Sequence, residues 1–189
     1  EVYRLLADLA PYVPSEASKY IFIFFYIITN AQKRADTLIL FAPRVSLYQL
    51  LPALTAAATI NDQYKGDELS KAVLREIASH VFVGQPLDAC ATAFEKLCSL
   101  SDERWRGMVL IAFAPNIPLD MMSQALRLAS ENRAAWWCPH YIAELANNLP
   151  VQFLSQAIEI AAGFSTEGGL RSTILRRLTS SLSGLSDQS

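Results

Sequence analysis

The feature that most constrains the fold of this chain is an apolar pattern that recurs six times along the sequence. Each copy has a central large apolar residue, called the B anchor here: Leu9, Phe41, Ile77, Phe113, Leu145 and Leu178. Leucine or isoleucine stands three residues before every B anchor, and valine, isoleucine or leucine stands four residues after it. Successive B anchors are 32 to 36 residues apart, as in 145 − 113 = 32 and 113 − 77 = 36. A period of this size in an apolar, helix-patterned sequence is typical of an α-helical array.

A second recurrent position lies between the B anchors and indicates a second helix in each repeat. These residues, called the A anchors here, are Phe22, Leu54, Phe94, Leu126 and Ile158. Proline or serine stands eight residues before each of them. Both residues suit the start of a helix, because the first amides lack partners within the helix and the φ angle of proline is already helical. Each repeat is therefore predicted to contain a helix A and a helix B.

The two patterns together predict an all-α fold, an α-α superhelix (solenoid) of about five helix-turn-helix repeats over residues 1–182. A lone B helix at residues 1–13 precedes A–B units near residues 14–45, 46–81, 86–117, 118–149 and 150–182. Residues 183–189 are predicted to form a Ser-rich tail. Leu110 and Phe113 should be buried, and the B helices should end near Pro11, Pro43, Val81, Pro115, Asn147 and Ser181.

Two of the repeat periods are longer because four residues are inserted, near residues 61–70 and near residues 82–85. Insertions between helices are expected in surface loops, since the entropy cost of closing a loop rises slowly with its length.

Composition limits the classes of function that the chain can have. The sequence is 52% hydrophobic and 18% charged, as expected when each helix of an array packs on two neighbours. A net charge of −2 argues against electrostatic binding of nucleic acid. Three cysteines, with no signal peptide visible, indicate reduced thiols and a cytoplasmic protein. Because the chain begins at Glu1 rather than at methionine, we expect it to be a fragment or a processed product.

The first helix A, predicted over residues 15–29, carries apolar residues on its expected outer face. Its longest apolar run is too short to span a bilayer, which needs about 20 apolar residues, so we predict no membrane contact. The positions of other repeats that align with this face hold polar residues such as Glu95 and Glu131. The apolar residues of this face, called the outer stripe here, are Tyr20, Ile23, Phe24 and Ile27. An apolar stripe on a solvent face usually marks an interface, either with a neighbouring domain or with a binding partner.

The densest group of reactive side chains is the run Trp-Trp-Cys-Pro-His-Tyr that begins at Trp136. Pro139 lies six residues before the B anchor of its repeat, so helix B should start late there. Trp136 and His140 are candidates for binding a partner, whereas Trp137 aligns with a core position. Cys138 and His140 are only two potential metal ligands, and a stable zinc site needs four, or three and a water. We therefore predict no metal site, and a small-ligand or peptide pocket remains the alternative.

No motif of a known catalytic class is present. The sequence contains no P-loop, no H-E-x-x-H, no G-x-S-x-G and no G-x-G-x-x-G. His80 and His140 are far apart, and nothing in the sequence assigns a nucleophile to either imidazole. We therefore predict no enzyme activity and no cofactor within these residues. The basic residues Arg171, Arg176 and Arg177 are expected on a solvated helix face, with an acidic partner as the alternative.

Residues 102–126 contain the pattern Asp-x-x-Trp-Arg-x-x-x-Leu-x-x-x-Ala-Pro-x-Ile-Pro, followed by Leu-x-x-x-x-x-Ala-Leu. This pattern resembles the short helical repeats that lie C-terminal to the ATPase module in bacterial STAND proteins, the signal-transduction ATPases related to NLR immune receptors. The resemblance covers about residues 1–182. The same motifs also fit tetratricopeptide- or HEAT-like arrays, although the tetratricopeptide signature itself is not matched. It implies a sensor region, with ATP hydrolysis and any effector enzyme on other domains.

These observations favour a non-catalytic module that recognises a protein or peptide within a bacterial signalling or defence ATPase. A structural arm that mediates self-association is the second interpretation, and a helical small-ligand-binding or enzyme domain that uses residues 136–141 is the third.

Overall fold

The computed structural model describes residues 2–9, 12–14, 22–60, 66–164 and 169–186. Within these ranges all regular secondary structure is helical, with ten α-helices and several short 3-10 helices, which confirms the predicted all-α class. The chain divides into two compact units, Glu1–Lys96 and Leu97–Ser189, which are described separately. No helix in the described ranges has the length and apolar character that crossing a bilayer requires.

The helices of the first unit form two rows, one of predicted A helices and one of predicted B helices. The α-helices are α1 (Val2–Leu9), α2 (Ala31–Phe41), α3 (Leu50–Ala58), α4 (Gly66–Val81) and α5 (Leu87–Cys98), whose last two residues belong to the second unit. Phe22–Ile27, Ala42–Arg44 and Leu47–Gln49 are 3-10 helices. The predicted B helices α1, α2 and α4 pack on one another in sequence order, and the 3-10 helix Phe22–Ile27 packs on α3 in the other row.

Aromatic and aliphatic side chains fill the space between the two rows of the first unit. Phe25 and Phe41 are fully buried, and their rings meet edge to face with centroids 5.8 Å apart. Phe22 stacks on Phe25 at a centroid distance of 5.7 Å. Edge-to-face and offset aromatic pairs are favourable because each ring has a negative face and a positive edge.

The second unit repeats the same two-row packing. Its helices are α6 (Glu103–Phe113), α7 (Met122–Glu131), α8 (Cys138–Leu145), α9 (Leu154–Ala162) and α10 (Leu170–Ser186), with 3-10 helices at Ala114–Asn116, Leu119–Met121 and Val151–Phe153. Helix α8 packs between α6 and α10, and α7 packs on α9 in the other row. Asp102 caps α6, since its carboxylate accepts the Trp105 N–H at 2.7 Å.

The predicted core positions are confirmed in most repeats. Leu110 and Phe113 are completely buried, and every B anchor from Phe41 onward is buried as well. Leu9, the first B anchor, is 44% exposed, which contradicts its assignment to the core. It is the last residue of α1, whereas Leu6, nearly one turn earlier, is buried.

The last repeat covers two of its predicted core residues only partly, one in each helix. The predicted A anchor Ile158 is only half-buried, although its neighbours Ala157 and Ile160 are buried. In α10 the predicted core residue Leu175 is half-buried, whereas Ile174 and the B anchor Leu178 are fully buried. Residues one apart on a helix differ by about 100° in direction, so a small rotation of a helix changes how far a residue at the edge of its buried face is covered.

Several helix ends differ from the prediction. Helix α4 ends at Val81 as predicted, but α10 runs to Ser186, past the predicted end near Ser181 and into the predicted tail at residues 183–189. Leu178, Leu182 and Leu185 continue the helical spacing in the sequence, which accounts for the longer helix.

The first helix A, predicted at residues 15–29, has only a 3-10 helix from Phe22 to Ile27 in its described part. Helices α2 and α6 tighten into 3-10 turns that contain Pro43 and Pro115, because proline has no N–H to continue the α-helical bonds.

In four repeats a side-chain hydrogen bond joins helix B to the preceding helix A. The residue seven positions before the B anchor donates a hydrogen bond to a carbonyl at or just beyond the end of the preceding helix A. The bonds are Arg34 Nε to Ile28 O at 2.9 Å, Ser70 Oγ to Ala57 O at 3.4 Å, Arg106 Nη1 to Leu100 O at 2.9 Å and Cys138 Sγ to Ala129 O at 3.3 Å. The last carbonyls of a helix have no partner within it, so these side chains satisfy groups that would otherwise need water.

Candidate functional site

A half-open groove of about 490 Å³ lies in the first unit, between the 3-10 helix Leu47–Gln49 and the first turns of α5. One wall consists of Leu47 and Tyr48, and Pro86 stands opposite them. Tyr48 is 94% exposed, so its ring makes almost no contact with its own chain. The groove therefore presents an aromatic side chain that nothing within the described structure covers.

Two hydrogen bonds fix the conformation of the turn that carries Tyr48. The Ser46 N–H donates to Gln49 Oε1 at 3.0 Å, and the Gln49 N–H donates to Ser46 O at 2.9 Å. In the first bond the Gln49 side chain accepts from the N-cap N–H, as in a capping box, and the second bond is the first backbone turn of the 3-10 helix. Gln49 is buried, with its side chain turned toward the N–H of Ser46. Tyr48 precedes it on the same short helix and is exposed to solvent.

The inserted residues 82–85 form the turn that brings the chain to the opposite wall. The Gln85 N–H donates to Phe82 O at 3.3 Å. Gly84 has a φ of 70°, a left-handed conformation that other residues rarely adopt. Helix α5 then begins, with the Cys90 N–H donating to Pro86 O at 3.0 Å. The insertion predicted from the repeat period is therefore a structural part of the groove.

Polar groups occupy both ends of the α5 face that lines the groove. Asp88 lies in the first turn of α5, where a carboxylate interacts favourably with the helix dipole, and Lys96 lies in its last turn. The Thr92 hydroxyl between them donates to the Asp88 carbonyl at 2.9 Å. Burial, and secondly the Asp88 carboxylate, raise the pKa of the Cys90 thiol. Cys90 is therefore a neutral thiol beneath the groove and is not an activated nucleophile.

The outer stripe is exposed where the structure describes it. Phe24 is 46% exposed and Ile27 is 58% exposed, whereas Phe22 and Phe25, predicted to face the core, are buried. Tyr20 and the side chain of Ile23 lie outside the described residues. Their assignment to a binding surface therefore remains a prediction.

The residues between Trp136 and Tyr141 do not share one surface. Trp136 is 49% exposed and His140 is exposed, but Trp137, Cys138 and Tyr141 are fully buried. Trp137 meets Tyr141 edge to face with centroids 5.8 Å apart, which confirms that Trp137 belongs to the core. The sequence pattern predicted a group of two indoles, a thiol and an imidazole. The fold instead divides it into a buried packing layer and two separate surface side chains.

The buried members of this group are chemically inert. Burial raises the pKa of Cys138 to about 12, and the positive charge of Arg133 opposes only part of this effect. Burial also raises the pKa of Tyr141 well above its ordinary value. Its hydroxyl is buried without a hydrogen-bond partner, which costs on the order of 1–3 kcal/mol. Both groups stay neutral near pH 7, so neither supplies a nucleophile or a proton donor of catalytic strength.

Metal binding finds no support in the part of the chain that the structure describes, where no three or more histidine, cysteine or carboxylate side chains gather. No protein-family model matches the chain, and no curated protein or solved structure shows significant similarity to it.

Tyr48 was not among the candidates from the sequence, although a signal was present. It lies six residues before its A anchor, as 54 − 48 = 6, and the aligned residues of later repeats are Asp88, Asp120 and Gln152. All three are exposed and polar, so an aromatic residue at this position departs from the pattern in the same way as the outer stripe.

Proposed function

We propose that this chain is a non-catalytic recognition module that binds a protein or peptide partner in the groove of the first unit. The observation that carries the proposal is the ring of Tyr48, which is 94% exposed at the edge of a groove of about 490 Å³. Binding pockets commonly have volumes of about 300–1,000 Å³ and combine apolar walls with a few polar groups. Tyrosine is also enriched among the residues that dominate binding energy at protein interfaces.

A second feature supports binding along the starts of the A helices. The residue seven positions before the A anchor is an exposed aliphatic side chain in three repeats: Leu87 at 46%, Leu119 at 60% and Val151 at 51% exposure. Within the second unit, Leu119 and Val151 are exposed apolar side chains at the starts of successive A helices, as expected of a surface that a partner covers. In this proposal the two-row packing continues through the chain as a solenoid of tetratricopeptide- or HEAT-like repeats, whose stacked helices present such a surface.

The larger protein in this proposal is a cytoplasmic bacterial signalling or defence ATPase of the STAND class. The support is the resemblance of residues 102–126, in which Asp102 caps α6 and Arg106 donates to the carbonyl of Leu100. ATP hydrolysis would then belong to other domains, and this chain would act as the sensor.

Self-association is the alternative that a separate observation favours. Phe24 and Ile27 of the outer stripe stay exposed, and leaving such side chains in water forgoes about 1.5–3 kcal/mol each relative to burial. A second copy that covers this stripe would recover that free energy, and the chain would then act as an oligomerisation arm.

Selection from a displayed random-peptide library, with the whole chain as bait, tests the proposed function. We expect enriched peptides whose affinity falls roughly thirtyfold in Tyr48→Ala, as for a residue that dominates an interface and costs about 2 kcal/mol on truncation. Trp136→Ala is the matched control, since Trp136 is also an exposed aromatic but lies outside the groove. Equal binding by wild type and Tyr48→Ala, or loss of binding only in Trp136→Ala, would place the site elsewhere.

A further inference from the structure

The polar groups of the groove have a defined spacing. Asp88 and Lys96 both line it and are exposed, and they are eight residues apart on α5. At about 1.5 Å per residue along a helix, their attachment points are roughly 12 Å apart. The groove thus has a negative charge at one end and a positive charge at the other.

Small side chains lie between the two charges. Ala89, Thr92 and Ala93 line the groove at positions that share one face of α5. Because these side chains are short, an extended backbone can approach the helix closely there. The Thr92 hydroxyl uses its hydrogen in the bond to the Asp88 carbonyl, so its oxygen remains able to accept a hydrogen bond from a bound N–H group.

The opposite wall is apolar, and Leu47 and Tyr48 present it to the same space. An extended peptide advances about 3.3 Å per residue, so roughly four residues cover the distance between Asp88 and Lys96. A side chain in the middle of such a peptide would lie against Tyr48, where aromatic and aliphatic groups gain most from leaving water.

We propose that the groove selects a short extended peptide with one basic and one acidic side chain about four positions apart and apolar residues between them. The basic side chain pairs with Asp88, the acidic side chain pairs with Lys96, and the apolar residues contact Leu47 and Tyr48. This inference rests on the proposed peptide-binding function and adds the chemical class of the peptide.

The test uses four pools of fluorescein-labelled synthetic peptides and the whole chain, with binding measured by fluorescence anisotropy at low salt. Each pool has fixed residues at the two ends of a five-residue core and a mixture of alanine, leucine, tyrosine and proline in the centre. The fixed pairs are Lys with Glu, Lys with Lys, Glu with Glu, and Gln with Gln. We expect the wild type to bind the Lys–Glu pool roughly fivefold more tightly than the others, the upper range for exposed ion pairs.

Charge reversal gives the specific readout. Lys96→Glu should prefer the Lys–Lys pool, and Asp88→Lys should prefer the Glu–Glu pool. Arg75→Glu is the matched control, because it makes the same charge change on an exposed residue of α4 outside the groove and should keep the wild-type preference. Raising the salt concentration should weaken each preference, since exposed charges are screened. Lys96→Gln, which removes the charge without reversing it, should lose the preference if Lys96→Glu fails to fold.

The two proposals fail in different ways. If all four pools bind equally, and binding still requires Tyr48, the charge pattern is wrong and the peptide-binding function stands. If the Lys96→Glu variant keeps the wild-type preference, the charge pattern is again wrong. If no pool binds and the peptide library yields no sequence that depends on Tyr48, the peptide-binding function itself is wrong.

Discussion

Gly107 is the position at which the smallest chemical change should have the clearest structural effect. A Cβ atom added at Gly107 would lie 2.7 Å from Cβ and 2.8 Å from Cγ and Cδ1 of Trp137. Non-bonded carbon atoms are most stable at about 3.5–4.0 Å, so all three contacts are strongly repulsive. Cβ of Trp137 does not move when its side chain rotates, and therefore α6 and the start of α8 must separate to admit a methyl group.

The surroundings leave little room for that separation. Trp137 is 1% exposed, and its ring lies edge to face against Tyr141, which is fully buried. Overpacking a close-packed interior typically costs about 1–3 kcal/mol, and three such contacts place Gly107→Ala near the upper value. Replacing glycine by alanine within a helix recovers about 1 kcal/mol of helix propensity. The expected net loss is about 2 kcal/mol, or a fall in Tm of roughly 4–8 °C for a chain of this size.

Urea denaturation followed by circular dichroism at 222 nm measures this loss, with Gly163→Ala as the matched control. Gly163 has a φ of −77°, and an added Cβ would meet its nearest atom, Ile160 O, at 3.4 Å. Alanine fits there, so Gly163→Ala should be neutral or should stabilise the chain by about 0.4–1 kcal/mol. If Gly107→Ala unfolds at or above the wild-type midpoint, the close approach of α6 to Trp137 is wrong.

Four further outcomes are expected. Phe113→Ala should lower the free energy of unfolding by about 3–5 kcal/mol, because it empties a fully buried site; an unchanged urea midpoint would contradict the assigned register. Arg106→Met should cost about 1–3 kcal/mol through the Leu100 carbonyl that it leaves without its partner, as measured by the same urea titration. Because burial raises the pKa of Cys138 from 9.0 to about 12, its contribution to stability is complete below pH 9 and is lost as pH rises from 9 to 12; Cys138→Ala should flatten the urea midpoint over that window. Changing Ile23 and Ile27 together to glutamate should keep the circular dichroism spectrum and abolish any self-association seen by light scattering, and dimers that persist would exclude the outer stripe as their interface.

The core could be predicted from the sequence because burial along a helix follows its own periodicity. Leu110 and Phe113 occupy recurrent apolar positions, and a repeat period of 32 to 36 residues makes such positions visible without knowledge of neighbouring helices. The same reasoning placed Trp137 in the core although it lies among residues that suggested a binding site. Agreement among aligned repeats was more informative than the chemistry of a single segment.

The polar links between the rows could not be predicted in this way. Arg34, Ser70, Arg106 and Cys138 share a position but no chemical type, so no residue pattern identifies them. They are related only by what they reach, a carbonyl at or just beyond the end of the preceding helix A. Different side-chain lengths meet the same need, because the unsatisfied carbonyls of a helix end are a property of the backbone.

The groove depends on which elements become neighbours, and this information is absent from the local sequence. Residues 85–96 approach Leu47 and Tyr48 only after the turn at residues 82–85 has redirected the chain. The insertion was visible in the repeat period, but its consequence required the packing of α5 beside the 3-10 helix Leu47–Gln49.

A substitution at Tyr48 should affect binding without affecting stability, because the side chain is almost fully exposed. With 94% of its surface exposed, the side chain contributes little to the core, and the aligned repeats hold Asp88, Asp120 and Gln152 without losing their helices. Folding therefore does not require an aromatic residue at this position, and an exposed aromatic ring loses hydrophobic stabilisation that a covered ring would have. The ring gains this stabilisation only if something outside the described chain covers it. Loss of peptide binding in Tyr48→Ala, with an unchanged urea midpoint, can accordingly be assigned to the groove rather than to unfolding.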